Sequence, residues 1–318
     1  MKIVVLDGYT LNPGDNPWTE VEKLGHVTVH DRTPADKIIE RAKGADVILT
    51  NKTPLSAETL KALPGLKFIG VLATGFNVVD VAAARQLNIP VSNIPIYGTD
   101  SVAQFTFALL LELCHNVALH SRLVHEGEWQ RRKEWCFWNT PLIELAGKTM
   151  GFVGFGRIGR RAGEIAHAFG MNVIAHDTYH GNEPSYKPFG WAGLDELFAK
   201  SDVVSLHAPL TADNKGMVNK SLLGKMKKSA FLINTSRGPL VNEPDLAEAL
   251  TKCQLGGAAL DVVCEEPINP KNPLLKAPNC ILTPHIAWGT LAARTRLMKT
   301  TAENIAAFQS GKPINVVN

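Results

Sequence analysis

Three side chains in the second half of the chain have the types and settings for proton transfer at an anionic substrate. His285 stands in "CILTPHIAW", residues 280–288, where an apolar run reads as a buried strand and Pro284 stops the ladder by withholding a donor. The residue after it is the one whose unperturbed pKa lies near neutrality, so it can act as acid or as base. Glu266, in "CEEPINP", can accept from the second ring nitrogen, which fixes the ring and favours its protonated form. Arg237, in "INTSRG", offers a planar fork for a carboxylate and a charge that polarises a neighbouring carbonyl. It follows a core strand and precedes Gly238 and Pro239, a poor location for a merely solvated charge.

The elements that must hold these groups are strands ending at one sheet edge. His207 with Pro209 in "SLHAPL", Ser236 and Arg237 in "INTSRG", Asp261 in "ALDVV" and His285 each follow an apolar run. One polar residue after a strand means little, but four successive strands delivering one apiece place a ligand site beyond the carboxyl ends of an open α/β sheet.

A second ligand signal precedes them in "TMGFVGFGRIGRRAGEIAHAFGMNVIAHD". Gly154, Gly156 and Gly159 form GxGxxG directly after a strand and open a helix that runs to about Phe169, and the next strand, 172–176, ends in Asp177. The first glycine permits a tight turn, the second lets the backbone approach a pyrophosphate, and the third lets the helix pack closely. The helix N-terminus supplies free N–H groups to the phosphates. Asp177 can accept from a ribose 2′-hydroxyl and would repel a 2′-phosphate, which predicts NAD over NADP.

Strands alternate with helices twice along the chain. Runs at 3–6, 27–30, 47–50, 68–72 and 90–92, with helical stretches such as 34–43 and 56–63, predict a doubly wound parallel sheet of flavodoxin-like order. Residues 101–119 are apolar on most faces and read as one buried helix at the crossover. Beyond them, runs at 149–154, 172–176, 203–207, 231–235, 258–262 and 280–283 predict a second unit of six strands, and 291–309 a closing helix that packs back on the first domain. Between the two rounds, 126–147 carries three of the six tryptophans and a basic cluster, the composition either of a surface excursion whose aromatics pack locally or, as favoured by so much apolar area, of an arm that buries them on a partner subunit.

Composition narrows the function further. Hydrophobic residues at 45% and charged residues at 20% describe a globular chain and exclude a disordered or fibrous one. A net charge of +3, spread along the chain, gives no basis for a nucleic-acid groove or a membrane anchor. The N-terminus "MKIVVLDGYT" is too short in apolar residues for a signal peptide, and no apolar run reaches the roughly 18 residues of a membrane span. The five cysteines, with no CxxC pair, read as buried free thiols in a reducing compartment, so a cytoplasmic protein without a metal site is expected.

Taken together, "GFGRIG" with Asp177, "HAPLT" at 207–211, "NTSRG" at 234–238, "ALDV" at 259–262 with "EEP" at 265–267, and "TPHIAW" at 283–288 resemble the NAD-dependent D-isomer-specific 2-hydroxyacid dehydrogenases over nearly the whole chain. The resemblance implies two doubly wound domains: a flavodoxin-like substrate domain of 1–99 plus 288–318, and a Rossmann NAD-binding domain of 100–287. It also implies a cleft that closes on substrate and a homodimer, with 120–147 as its arm. It puts the catalytic roles on Arg237, Glu266 and His285. Cofactor contacts fall on Gly154, Phe155, Gly156, Arg157, Ile158, Gly159, Asp177, His207, Ala208, Pro209, Thr235, Ser236, Arg237, Asp261 and His285, with Asp261 near the nicotinamide amide. Substrate contacts fall on Ala73, Thr74, Gly75, Arg237, His285 and Trp288.

"NKTPLS", "YGTDSVAQ" and "CFWNTPLIELAGKT" look most like the glycerate dehydrogenase or hydroxypyruvate reductase branch, although Gln104 stands where many relatives carry glutamate. The implied reaction is reversible hydride transfer between NADH and a small 2-oxo acid such as hydroxypyruvate or glyoxylate. Three other readings share the fold: a D-lactate-type or NADP-linked reductase, a formate dehydrogenase, and an NAD-sensing corepressor-like protein. Glu266 stands against formate dehydrogenase, which pairs its histidine with glutamine.

Overall fold

The computed structural model describes residues 1–181 and 183–318. Backbone contacts divide the chain into two compact units, one of Met1–Gly98 with Trp288–Asn318 and one of Thr99–Ala287.

The first unit is built on five parallel strands, β1 (Lys2–Val5), β2 (His26–Val29), β3 (Val47–Thr50), β4 (Phe68–Val71) and β5 (Val91–Ser92), in the order β2-β1-β3-β4-β5. That is the expected flavodoxin-like order. Strands β3 and β4 are buried at every position, which is why they read as unbroken apolar runs rather than alternating ones. Short helices cover one face, two of them opened by side-chain caps: Ser56 accepts from the Thr59 N–H and Asp80 from that of Ala83. Residues 34–43, read as one helix, form a 3-10 turn at Ala35–Lys37 followed by a helix at Ile38–Ala42. The helix Leu291–Gln309 covers the other face, where Leu297, Met298 and Ile305 join Ile3, Val5, Leu49 and Phe68 in one cluster.

The second unit holds seven parallel strands: β6 (Thr149–Val153), β7 (Asn172–His176), β8 (Phe189–Trp191), β9 (Val203–Leu206), β10 (Phe231–Asn234), β11 (Gly257–Leu260) and β12 (Cys280–Leu282). Their order, β12-β11-β10-β9-β6-β7-β8, reverses direction between β6 and β9. This is the Rossmann arrangement, and the reversal is where such sheets bind ligands. Six strands were expected; the seventh, β8, is three residues long, contains glycine and sits at the sheet edge, too short for a periodic signal.

The helix read over 101–119 spans Thr99–His115, ends where Asn116 enters the left-handed region at φ 45°, and resumes as Val117–His125. No single helix of the described residues is long and apolar enough to cross a membrane.

Candidate active site

The glycine turn is shaped by what it cannot contain. Gly154 has φ +89°, and a Cβ there would lie 2.6 Å from the Ala208 nitrogen and 2.7 Å from the His207 carbonyl carbon, so β6 turns hard against the end of β9. A Cβ on Gly159 would meet the Gly154 oxygen at 2.4 Å, which seats the helix Arg157–Ala168 directly on the turn. At Gly156 a Cβ would point into open space, and this residue begins the helix with no side-chain cap. The first N–H groups of the helix are thereby left for an anion, which fits the pyrophosphate of a dinucleotide. The side chain of Phe155 does not take part: it is 2% exposed and packs on Phe152, Phe189 and Trp191. Arg157 is exposed at the helix start, with Ile158 half-buried beside it.

Asp177, just past β7, is tied to this turn. Its Oδ2 accepts from the Phe155 N–H at 2.6 Å, and its Oδ1 from the Tyr179 N–H at 3.2 Å. Burial pushes its carboxyl up, but the hydrogen bonds from Phe155, Tyr179 and Thr178 outweigh that and hold it below the usual carboxylate range. The acid is therefore a fixed anion beside the glycine turn.

Across the switch point, the His207 ring lies against Phe152, and its Nε2 is 2.8 Å from Ser205 Oγ. Burial pushes its pKa down to about 4, so this imidazole is neutral at physiological pH. The Ser236 hydroxyl donates to the Ala208 oxygen, joining the ends of β9 and β10 beside Pro209. Buried Thr235 meets Thr106 Oγ1 at 3.1 Å. Asn234 is fully buried and organises the Arg237 turn, its Nδ2 donating to the Arg237 oxygen at 2.9 Å and its Oδ1 accepting from the Ser236 N–H at 3.0 Å. The Arg237 side chain stays exposed, with Nη1 donating to the Ser236 oxygen.

At the end of β12, His285 Nδ1 donates to Glu266 Oε2 at 2.7 Å, and both side chains are about one-third exposed or less, at 27% and 34%. Nε2 is thus the ring nitrogen left to exchange a proton with a ligand. His285 has φ 55°, an uncommon backbone state for a residue with a side chain, worth roughly 1–3 kcal/mol of strain.

Asp261 holds it there. The Asp261 carbonyl accepts from the His285 N–H at 2.8 Å. Its Oδ1 accepts from Thr283 Oγ1 at 2.7 Å and the Ile286 N–H at 2.9 Å, and its Oδ2 from the Ala287 N–H at 2.8 Å. Burial is the largest influence on this carboxyl and raises its pKa, partly offset by those hydrogen bonds.

The first unit presents the turn Ala73–Gly75 past β4. Thr74 Oγ1 donates to the Ile94 oxygen at 2.8 Å and Asn93 Nδ2 to the Thr74 oxygen at 2.7 Å, so the Thr74 side chain and carbonyl brace the turn. Trp288 packs half-buried on the core of the same unit, edge-on to Tyr97 at 6.2 Å. Sequence reading passed over Asn234 and Thr283, although a polar residue closing an otherwise apolar strand was the available signal in each case. Among the described residues, no group of three His, Cys, Asp or Glu is arranged to hold a metal ion.

Residues 107–287 match the family described as D-isomer specific 2-hydroxyacid dehydrogenase, NAD binding domain. A hydroxypyruvate reductase of Blautia hydrogenotrophica is 51% identical over all of both chains, and a glycerate dehydrogenase of Methylorubrum extorquens is 41% identical over 89% of this chain and 88% of its own. Among solved structures, an acyclic imino acid reductase in complex with NADPH and D-Arg superposes with a TM-score of 0.86 at 31% identity, covering all of both chains. The chain belongs to the D-isomer-specific 2-hydroxyacid dehydrogenase family, and its cofactor is NAD.

Proposed function

We propose that this protein is an NAD-dependent hydroxypyruvate and glyoxylate reductase, interconverting these 2-oxo acids with D-glycerate and glycolate. The observation that carries the reading is the His285–Glu266 pair at 2.7 Å, held at the carboxyl end of the cofactor sheet. Bound NADH supplies the hydride that reduces the C2 carbonyl. His285, protonated and oriented by Glu266, gives its Nε2 proton to the forming alkoxide; in the reverse direction the neutral ring takes the hydroxyl proton. Arg237 takes the substrate carboxylate and polarises the carbonyl, and the N–H groups of Thr74 and Gly75, beside Ala73, are assigned to the same carboxylate. Trp288 is assigned to the substrate's side chain.

In this reading residues 1–99 with 288–318 serve the substrate and 100–287 the cofactor. The arm 120–147 pairs two copies, which is supported by Trp135, Trp138 and Leu142 at 84%, 60% and 54% exposure. The five cysteines are free, which suits the cytoplasm, but they were expected to be buried and only Cys114 is; Cys253 and Cys264 lie exposed on turns outside the sheet core.

The test is NADH and NADPH oxidation against hydroxypyruvate, glyoxylate, pyruvate and bulkier 2-oxo acids, compared by kcat/KM. The highest value is expected for hydroxypyruvate or glyoxylate with NADH. A clear preference for a bulky 2-oxo acid would overturn the substrate assignment, and no turnover across the panel would favour an NAD-sensing protein.

A further inference from the structure

Glu243 opens the helix Glu243–Thr251 with a carboxylate that is only 8% exposed. Both oxygens meet neutral donors: Oε1 accepts from the Cys264 N–H at 2.7 Å, and Oε2 from Asn272 Nδ2 at 2.9 Å. Burying a carboxylate is costly, and a glutamine would fit the same space. An amide, however, presents one acceptor and one donor head, whereas both partners here are donors; only a carboxylate satisfies the two together.

The peptide it grips belongs to the turn that presents Glu266. One residue before it, the Val263 N–H donates to Glu266 Oε1 at 3.3 Å, so this turn tethers one oxygen of the carboxylate whose other oxygen holds His285. Two more contacts from the same stretch press on the turn. A Cβ on Gly238 would lie 2.0 Å from the Val263 carbonyl, so the backbone just after Arg237 sits directly against that peptide. Cys264 Sγ donates to the Val241 oxygen at 3.7 Å. Burial, and next the charge of Glu243, push that thiol up to about 11, which keeps it a protonated donor. Residues 238–243 and 263–264 therefore form one locked piece, with Arg237 at one end and Glu266 at the other.

We propose that Glu243 is a positioning residue for the acid–base pair: by pinning the Cys264 peptide it sets where Glu266 meets His285. The proposal rests on the reading of Glu266 and His285 as that pair. The direct tie of Glu243 is to the Cys264 peptide, on the side of the locked piece that carries Glu266 rather than Arg237, so its loss lowers kcat while leaving KM and NADH affinity in place.

The test is steady-state hydroxypyruvate reduction, with NADH affinity from fluorescence, for the full-length wild type, Glu243→Gln, Glu266→Ala and the double variant. Glu243→Gln is expected to lower kcat about tenfold, with KM and the NADH Kd within about twofold. The double variant is expected to be no slower than Glu266→Ala, because coupled residues are not additive. A wild-type kcat in Glu243→Gln, a loss confined to KM, or a loss that multiplies with that of Glu266→Ala would overturn the proposal. If Glu243→Gln does not fold, Glu243→Asp keeps both acceptors on a shorter arm and is expected to show a smaller, equally non-additive loss of kcat; a multiplying loss there overturns it too. Wild-type turnover in Glu266→Ala would overturn instead the reading of the pair itself.

Discussion

The glycine turn at 154–159 and the histidine turn at 283–287 stand at the carboxyl edge of the same seven-stranded sheet and are built in opposite ways. The first is made by exclusion: side chains are missing wherever backbone must meet backbone or a phosphate must approach. The second is made by attachment, with a strained His285 held through hydrogen bonds from Asp261 and a carboxylate partner in Glu266. A binding turn built by exclusion fails when an atom is added. A catalytic turn built by attachment fails when a polar tie is removed.

The sharpest way to break this contrast is Gly154→Ala. The new methyl would overlap the Ala208 and His207 backbone and force a left-handed alanine, costing about 1–2 kcal/mol before any steric term. NADH affinity is expected to fall at least about 100-fold by fluorescence titration, and near-normal affinity would remove the argument from exclusion.

Acid attacks the same turn from its wall. His207 is protonated near pH 4 in the folded state and near 6.5 when unfolded, so between these values the unfolded chain binds more protons and stability falls as pH drops. The loss is about 3 kcal/mol at most, complete near pH 4 and absent above about 7. Urea melts over that range should show it, and His207→Asn should flatten the slope.

Asp261→Asn tests the attached turn. An amide cannot accept with both heads, so one of the ties to Thr283, Ile286 or Ala287 is lost. kcat is expected to drop roughly 10-fold or somewhat more, with the NADH Kd little changed, consistent with about 1.5–2 kcal/mol for one such bond. A loss in NADH affinity instead would mark Asp261 as a cofactor contact first. The smallest effect is expected from Asp177→Ala, which should reduce the NADH over NADPH preference in kcat/KM by about tenfold.

The same contrast explains what could be read from the sequence. The GxGxxG turn and Asp177 lie within one strand-helix-strand unit, so spacing alone carried them; the alternation of strands and helices carried the two parallel sheets, and the resemblance carried the Rossmann order of the second. His285, Glu266 and Arg237 were visible as chemistry-bearing residues at strand ends. What holds them was not: Asp261 reaches 26 residues along the chain to Ala287, and Glu243 reaches 21 to Cys264 and 29 to Asn272. Hydrogen bonds of that span leave no local pattern. Strand β8 escaped for the reverse reason, being too short to show a period.

The central claim is that His285 carries the proton, and Glu266 holds it ready. The most direct test is His285→Ala, measured for hydroxypyruvate reduction and, separately, for NADH binding. Turnover is predicted to fall by roughly two to four orders of magnitude while the NADH Kd stays within about threefold of wild type. Turnover within a few-fold of wild type in that variant would contradict the account.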